Sequence, residues 1–230
     1  MNNKVITLFF LLLSVLITPE SSSAASCNSE SMNNTCVQIF VNGKTGQALA
    51  NMVVYLEPLD GQILTRSSKE VVVAQLGKSF TPYLSVSQVN SKVSFVNQDD
   101  ITHHIYSVDS NNKFSFRIRA GQTNASETFG HVADVAMGCN IHDWMSGYLL
   151  IVNTPYFGKT DTQGQVSFNI AQQGKYNVVI WHPQLKNDNN RLSKTASIIA
   201  NSTFTFTLKN EITTPTTQEN EDDFDFLSDY

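Results

Sequence analysis

Cys139, His142 and Met145 stand three residues apart in Gly138-Cys139-Asn140-Ile141-His142-Asp143-Trp144-Met145, so one tight loop carries a thiol, an imidazole and a thioether. A second imidazole is available upstream, in Asn97-Gln98-Asp99-Asp100-Ile101-Thr102-His103-His104-Ile105-Tyr106. Two histidines, one cysteine thiolate and a weak methionine form the donor set of a trigonal copper site. Soft sulfur favours Cu(I), imidazole serves both oxidation states, and a rigid compromise between them keeps reorganisation small. Of the adjacent His103 and His104, only one can face such a site, because successive strand residues point to opposite faces. Zinc is the competing metal for these donors. Taken singly, a buried cysteine is a small hydrophobe and a methionine fills core space; their conjunction with histidine at loop spacing points to a metal. His131, His182 and Met137 lack such partners and are expected to be structural.

The elements that must hold this loop read as short strands. Val37, Ile39 and Val41 alternate with polar neighbours, and Met52 to Leu56 form a second run ended by Pro58. Further runs follow at Glu70 to Ala74, Leu84 to Val86, Lys92 to Asn97, His104 to Val108, Phe114 to Arg119, Ala133 to Met137 and Gly147 to Val152. Val166 to Ile170, Tyr176 to Trp181 and Thr203 to Leu208 complete the series. Regular short strands punctuated by Gly, Asn and Pro predict an all-β chain of antiparallel sandwiches. Composition agrees: only 15% of the 230 residues are charged and 41% are hydrophobic, which disfavours a helical bundle, a coiled coil or a wholly disordered chain. The net charge of -5 argues against nucleic acid as a partner. Much of that acidity follows Lys209, and residues 211–230 read as a solvated acidic tail.

Lys4, the apolar run Val5 to Ile17, Pro19 and the small residues through Ala24-Ala25 predict a secretory signal over 1–25. The apolar run is short of the roughly 20 residues a bilayer span needs. Export to the periplasm of a bacterium is the expectation, with lipid anchoring at Cys27 disfavoured because small residues separate it from the apolar core. In an oxidising compartment Cys27 and Cys36 could pair, leaving Cys139 as the odd thiol.

Residues from about Glu70 to Val152 resemble a cupredoxin of the plastocyanin and amicyanin class. Lys92 to Asp99 is similar to the strand leading into that family's first histidine ligand, Cys139-x-x-His142-x-x-Met145 to the short amicyanin ligand loop, and Gly147 to Val152 to the terminal strand. The whole chain is similar to exported proteins of the methylamine-utilisation or plastocyanin-like type. The resemblance implies a Greek-key β-sandwich with one type 1 copper held by His103, Cys139, His142 and Met145. His103, rather than the fallback His104, matches the family's ligand, and His104 then replaces an asparagine that ties the ligand loops together. It implies a carrier of single electrons, not an enzyme, exchanging with a redox protein such as a cytochrome or dehydrogenase. The ring edge of His142 would be the electron port, framed by Ile141, Trp144 and Phe80-Thr81-Pro82-Tyr83. The alternative is copper storage or delivery with the same ligands but readily exchanged metal.

A second resemblance brackets the first. Val37 to Pro58 is similar to the opening of a carboxypeptidase-regulatory-like, Ig-like sandwich, whose continuation is matched by Thr160-Asp161-Thr162-Gln163-Gly164 and Gly174-Lys175-Tyr176. The expectation is therefore a cupredoxin domain over 69–153 inserted into a split sandwich formed by 36–60 and 154–209, since domain termini commonly lie close together. Trp181-His182-Pro183 is expected to serve packing and a turn.

Overall fold

The computed structural model describes residues 35–66 and 70–213. The expected leader, Cys27 and the tail beyond Thr213 lie outside the described residues. The described chain is all-β. Its strands are β1 (Thr35–Asn42), β2 (Val53–Pro58), β3 (Val71–Gln75), β4 (Phe80–Thr81), β5 (Leu84–Gln88), β6 (Lys92–Asn97), β7 (His103–Ser107) and β8 (Phe114–Ile118). They continue with β9 (Thr123–Thr128), β10 (Ala133–Cys139), β11 (Ser146–Val152), β12 (Phe157–Lys159), β13 (Gln165–Ile170), β14 (Gly174–Trp181), β15 (Arg191–Ile198) and β16 (Ser202–Thr207). Four of these, β4, β9, β12 and β15, were not expected from the sequence; each is an edge strand of its sheet.

Four sheets form, in the orders β13-β1-β16, β12-β2-β14-β15, β5-β11-β10-β7-β8 and β4-β3-β6-β9. Apolar clusters lie between successive sheets, so the molecule is a stack of four layers. Val37, Ile39 and Val41 of β1 meet Val54, Leu56, Val178 and Ile180 across the first seam. Val53, Tyr55, Val179 and Trp181 meet Leu84, Val86, Leu150 and Val152 across the middle seam. Leu149, Ile151, Val135 and Met137 meet Val73, Val93 and Phe95 across the third. The layering explains two sequence patterns. Strand β1 is covered on one face and alternates buried with half-buried residues. The strands β2, β11 and β14 belong to inner layers and are covered on both faces, so their ends read as unbroken apolar runs.

Strands β3 to β11 build the third and fourth layers, while β1, β2 and β12 to β16 build the first and second. The chain leaves and re-enters the first pair side by side, for β2 and β12 are paired antiparallel with Tyr55 opposite Phe157. A polar clamp joins the two pairs. Asp134 of β10 accepts hydrogen bonds from Trp181 Nε1 (2.9 Å) and from Arg191 Nη1 and Nη2 (2.9 and 2.5 Å), and Arg191 Nε donates to the Tyr55 hydroxyl at 3.0 Å. Burial works to lower the Arg191 pKa, but the bonds to Asp134 and Tyr55 outweigh it and keep the guanidinium charged. Cys36 is disulfide-bonded and Cys139 is a free, buried thiol.

Candidate metal centre

His103 opens β7, and the loop before it is fixed by one buried asparagine. Asn97 Nδ2 donates to the carbonyls of Ile101 (2.7 Å) and Ile118 (2.9 Å), and its Oδ1 accepts the Asp99 N–H at 3.0 Å. Along β7, His103, Ile105 and Ser107 are buried while His104 and Tyr106 are half-buried. The alternation settles which imidazole turns inward. His103 is fully buried, with Nδ1 3.8 Å from Cys139 Sγ. His104 turns the other way: its Nε2 lies 2.9 Å from Ser115 Oγ, and its Nδ1 accepts from Asn140 Nδ2 at 3.2 Å. Asn140 N–H also donates to the His104 carbonyl at 2.9 Å. His104 thus stays off the donor cluster and ties the strand of His103 to the loop of Cys139 and His142.

Cys139 ends β10 opposite Ile105 of β7. The preceding residue must be small, since a Cβ on Gly138 would come within 2.9 Å of the Tyr106 ring. The chain then turns, with Met145 N–H donating to the His142 carbonyl at 3.0 Å. His142 Nδ1 lies 3.8 Å from Cys139 Sγ, and the His103 and His142 rings are 5.1 Å apart between centroids. One donor atom from each of His103, Cys139 and His142 lies within 4.8 Å of the others, and all three residues are buried. Met145 is buried in the same apolar cluster as Cys139, between the third and fourth layers. Two metal bonds of about 2.0 and 2.3 Å, opened to roughly 120°, span about 3.7 Å. The sulfur–nitrogen spacings therefore fit a single ion seated among the three.

Asp99 reaches the far side of His103, with Oδ2 2.8 Å from His103 Nε2. Its carboxylate also accepts the backbone N–H groups of Gly77 (2.6 Å) and Lys78 (2.9 Å). Burial alone would raise the Asp99 pKa, but the bonds from Lys78, His103 and Gly77 outweigh it and hold the carboxyl below its ordinary value. The His142 imidazole is held below its ordinary value, first by burial and then by the neighbouring His103 and Lys78. Around His142 the surface carries Ile141, half exposed, and the Trp144 ring at 5.3 Å. Of the other residues expected to frame it, Phe80 is instead buried in the core, packed so close to Gly147 that a Cβ added there would crowd its ring. Tyr83 packs edge-on against Tyr148 at the middle seam and accepts a bond from Gln184. Sequence reasoning did not find Asp99; an acid four residues before the histidine was the available signal.

No protein-family model matches the chain, and no curated protein matches it. Among solved structures, the chain is similar to a copper-containing nitrite reductase from Thermus scotoductus SA-01, with 22% identity over 42% of this chain and a TM-score of 0.35. It spans only 25% of that enzyme. It is also similar to an amicyanin variant in its Cu(I) form (16% identity, 36% of this chain, 82% of that one, TM-score 0.34) and to a reduced amicyanin variant (17%, 37%, 85%, 0.34). Among the described residues, no helix is long and apolar enough to cross a membrane.

Proposed function

We propose that this chain is a type 1 copper protein that carries single electrons between exported redox partners and catalyses no reaction of its own. The observation that carries the proposal is the convergence of His103, Cys139 and His142 on one buried point at single-ion spacing. Met145, in the same core, would supply the weak axial donor. Bound copper would supply a one-electron couple. The chain's part is to hold its donors still. Asn97 pins the loop before His103, the His104–Asn140 pair ties β7 to the ligand loop, and Asp99 orients the His103 ring. Donors fixed before the metal arrives change little between oxidation states, which favours fast exchange. His142 would pass the electron, because exposed Ile141 and half-buried Trp144 beside it offer a small apolar contact for a cytochrome or dehydrogenase. Small contacts suit partners that must separate quickly.

On this reading layers three and four are a cupredoxin inserted into an Ig-like sandwich, a view supported by the adjacent exit and re-entry of the chain at β2 and β12. The resemblance to methylamine-utilisation proteins and the leader-like N-terminus support a periplasmic setting. The test is reconstitution of the mature protein with one equivalent of Cu(II), followed by voltammetry and a chelator challenge. Reversible one-electron reduction with retained copper is expected. Rapid loss of copper to the chelator with no electron exchange would reject the carrier in favour of storage or delivery.

A further inference from the structure

We infer that Asp99 is a positioning residue that acts through His103 to favour the oxidised state of the centre, an inference that rests on the copper reading above. The geometry has three parts. His103 Nδ1 faces Cys139, which leaves Nε2 as the nitrogen that must carry the proton if Nδ1 is to donate to a metal. Asp99 Oδ2 accepts at that Nε2 from 2.8 Å, so the carboxylate selects the tautomer with a free Nδ1 lone pair. The carboxylate is itself anchored. Leu76 N–H donates to the Ser79 carbonyl at 3.0 Å, closing a two-residue turn in which Gly77 (φ 63) and Lys78 (φ 56) both have positive φ. Their consecutive N–H groups point at Asp99 and hold it from the opposite side.

Lys78 adopts a backbone conformation that costs a non-glycine residue, and the N–H it thereby presents is one of the two that grip the carboxylate. A carboxylate hydrogen-bonded to a ligand histidine makes the imidazole a stronger donor and places negative charge near the ion. Both effects stabilise Cu(II) more than Cu(I). Asp99 therefore belongs to the centre's chemistry, although it touches no metal, and the β3–β4 turn is its support.

The experiment compares wild type with Asp99→Asn, Asp99→Ala and Asp99→Glu. In the copper-loaded proteins, Asp99→Asn is expected to lower Cu(II) affinity relative to Cu(I) about tenfold, which raises the potential by about 59 mV. Asp99→Glu should recover part of that shift. In the metal-free proteins, imidazole nitrogen NMR should find His103 protonated at Nε2 in wild type and mixed between the two nitrogens in Asp99→Ala. A variant that takes up no copper is decided by this metal-free measurement. An unchanged or lowered potential in Asp99→Asn, or an unchanged His103 tautomer in Asp99→Ala, overturns the inference. A wild type that binds no copper or shows no reversible reduction fails the parent reading instead, and the two failures are told apart by that control.

Discussion

Replacing Asp134 by alanine removes a carboxylate that joins the second and third layers. The change strips acceptors from three donors at once: the Trp181 indole N–H and both terminal nitrogens of Arg191. Trp181 is fully buried, so its N–H finds no water and costs about 1–3 kcal/mol when unpaired. The ion pair adds less, because the Arg191 and Asp134 side chains keep 25% and 32% exposure and water recovers part of the loss. Together these give a destabilisation of about 3 kcal/mol. Urea unfolding of the metal-free protein should show it as a midpoint lowered by about 1.5 M, for a slope near 2 kcal/mol/M. Arg191→Met, also measured in the Asp134→Ala background, should return a coupling of about 1–2 kcal/mol. A loss below about 0.5 kcal/mol, the usual effect of an ordinary surface change, would refute the assignment of this cluster as the clamp between layers.

Three further outcomes are expected. Cys139→Ser should abolish the intense charge-transfer colour of the oxidised protein while leaving the fold intact, and His103→Gly should perturb the spectrum far more than His104→Gly; a retained band or equal effects would reject the ligand set. His182, buried with Nδ1 accepting the Gln184 N–H, has its pKa lowered to about 4 by burial. Its folded pKa lies below the unfolded one, so the stability it permits is complete above about pH 6.5 and declines as pH falls toward 4, by roughly 3 kcal/mol in all; urea midpoints of wild type and His182→Gln should converge across that window, and parallel curves would exclude it. Residues 69–153 expressed alone would expose Leu84, Val86, Leu150 and Val152, which the middle seam buries. The excised segment should self-associate but bind copper, and polar replacements at Val86 and Leu150 should render it monomeric; sedimentation and absorption spectra check both, and a segment that binds no copper in either form would reject an autonomous core.

How legible the fold was depended on how each strand is buried. Strands with two covered faces gave unbroken apolar runs, as in Val53 to Leu56 and Leu149 to Val152, and strand β1 gave clean alternation. The strands that escaped were sheet edges. In β15, Arg191 to Thr195 are half-buried or exposed, and β12 is a three-residue strip with no fully buried member. An edge strand is held by hydrogen bonds to one neighbour, which any sequence can supply, so no periodic apolar signal is required of it. The stacking of four layers was hidden for a related reason. A doubly buried strand looks the same whether its second face meets helices, another sheet or a partner chain, so nothing in Val179 or Trp181 said that Leu150 and Val152 would cover them.

The candidate centre divides along the same line. The grouping of His103, Cys139 and His142 was legible because the loop fixes Cys139 and His142 by local spacing, and strand alternation required His103 and His104 to part. What holds the donors was less legible, because its decisive ties cross sequence at long range: Asp99, though only four residues from His103, is gripped by a turn 21 and 22 residues before it, and Asn140 meets His104 across 36. These supports converge on the two sides of β7. On the buried side Asp99 fixes the His103 ring, and on the outer side His104 fixes the loop that carries Cys139 and His142. The adjacent histidines are thus one device, in which the first faces the donor cluster and the second locks the loop against it. Moving His104 to the cluster would need a one-residue slip of β7, which would also turn Ile105 out of the core and Tyr106 into it. The strand register that buries Ile105 therefore also determines which histidine is offered to a metal.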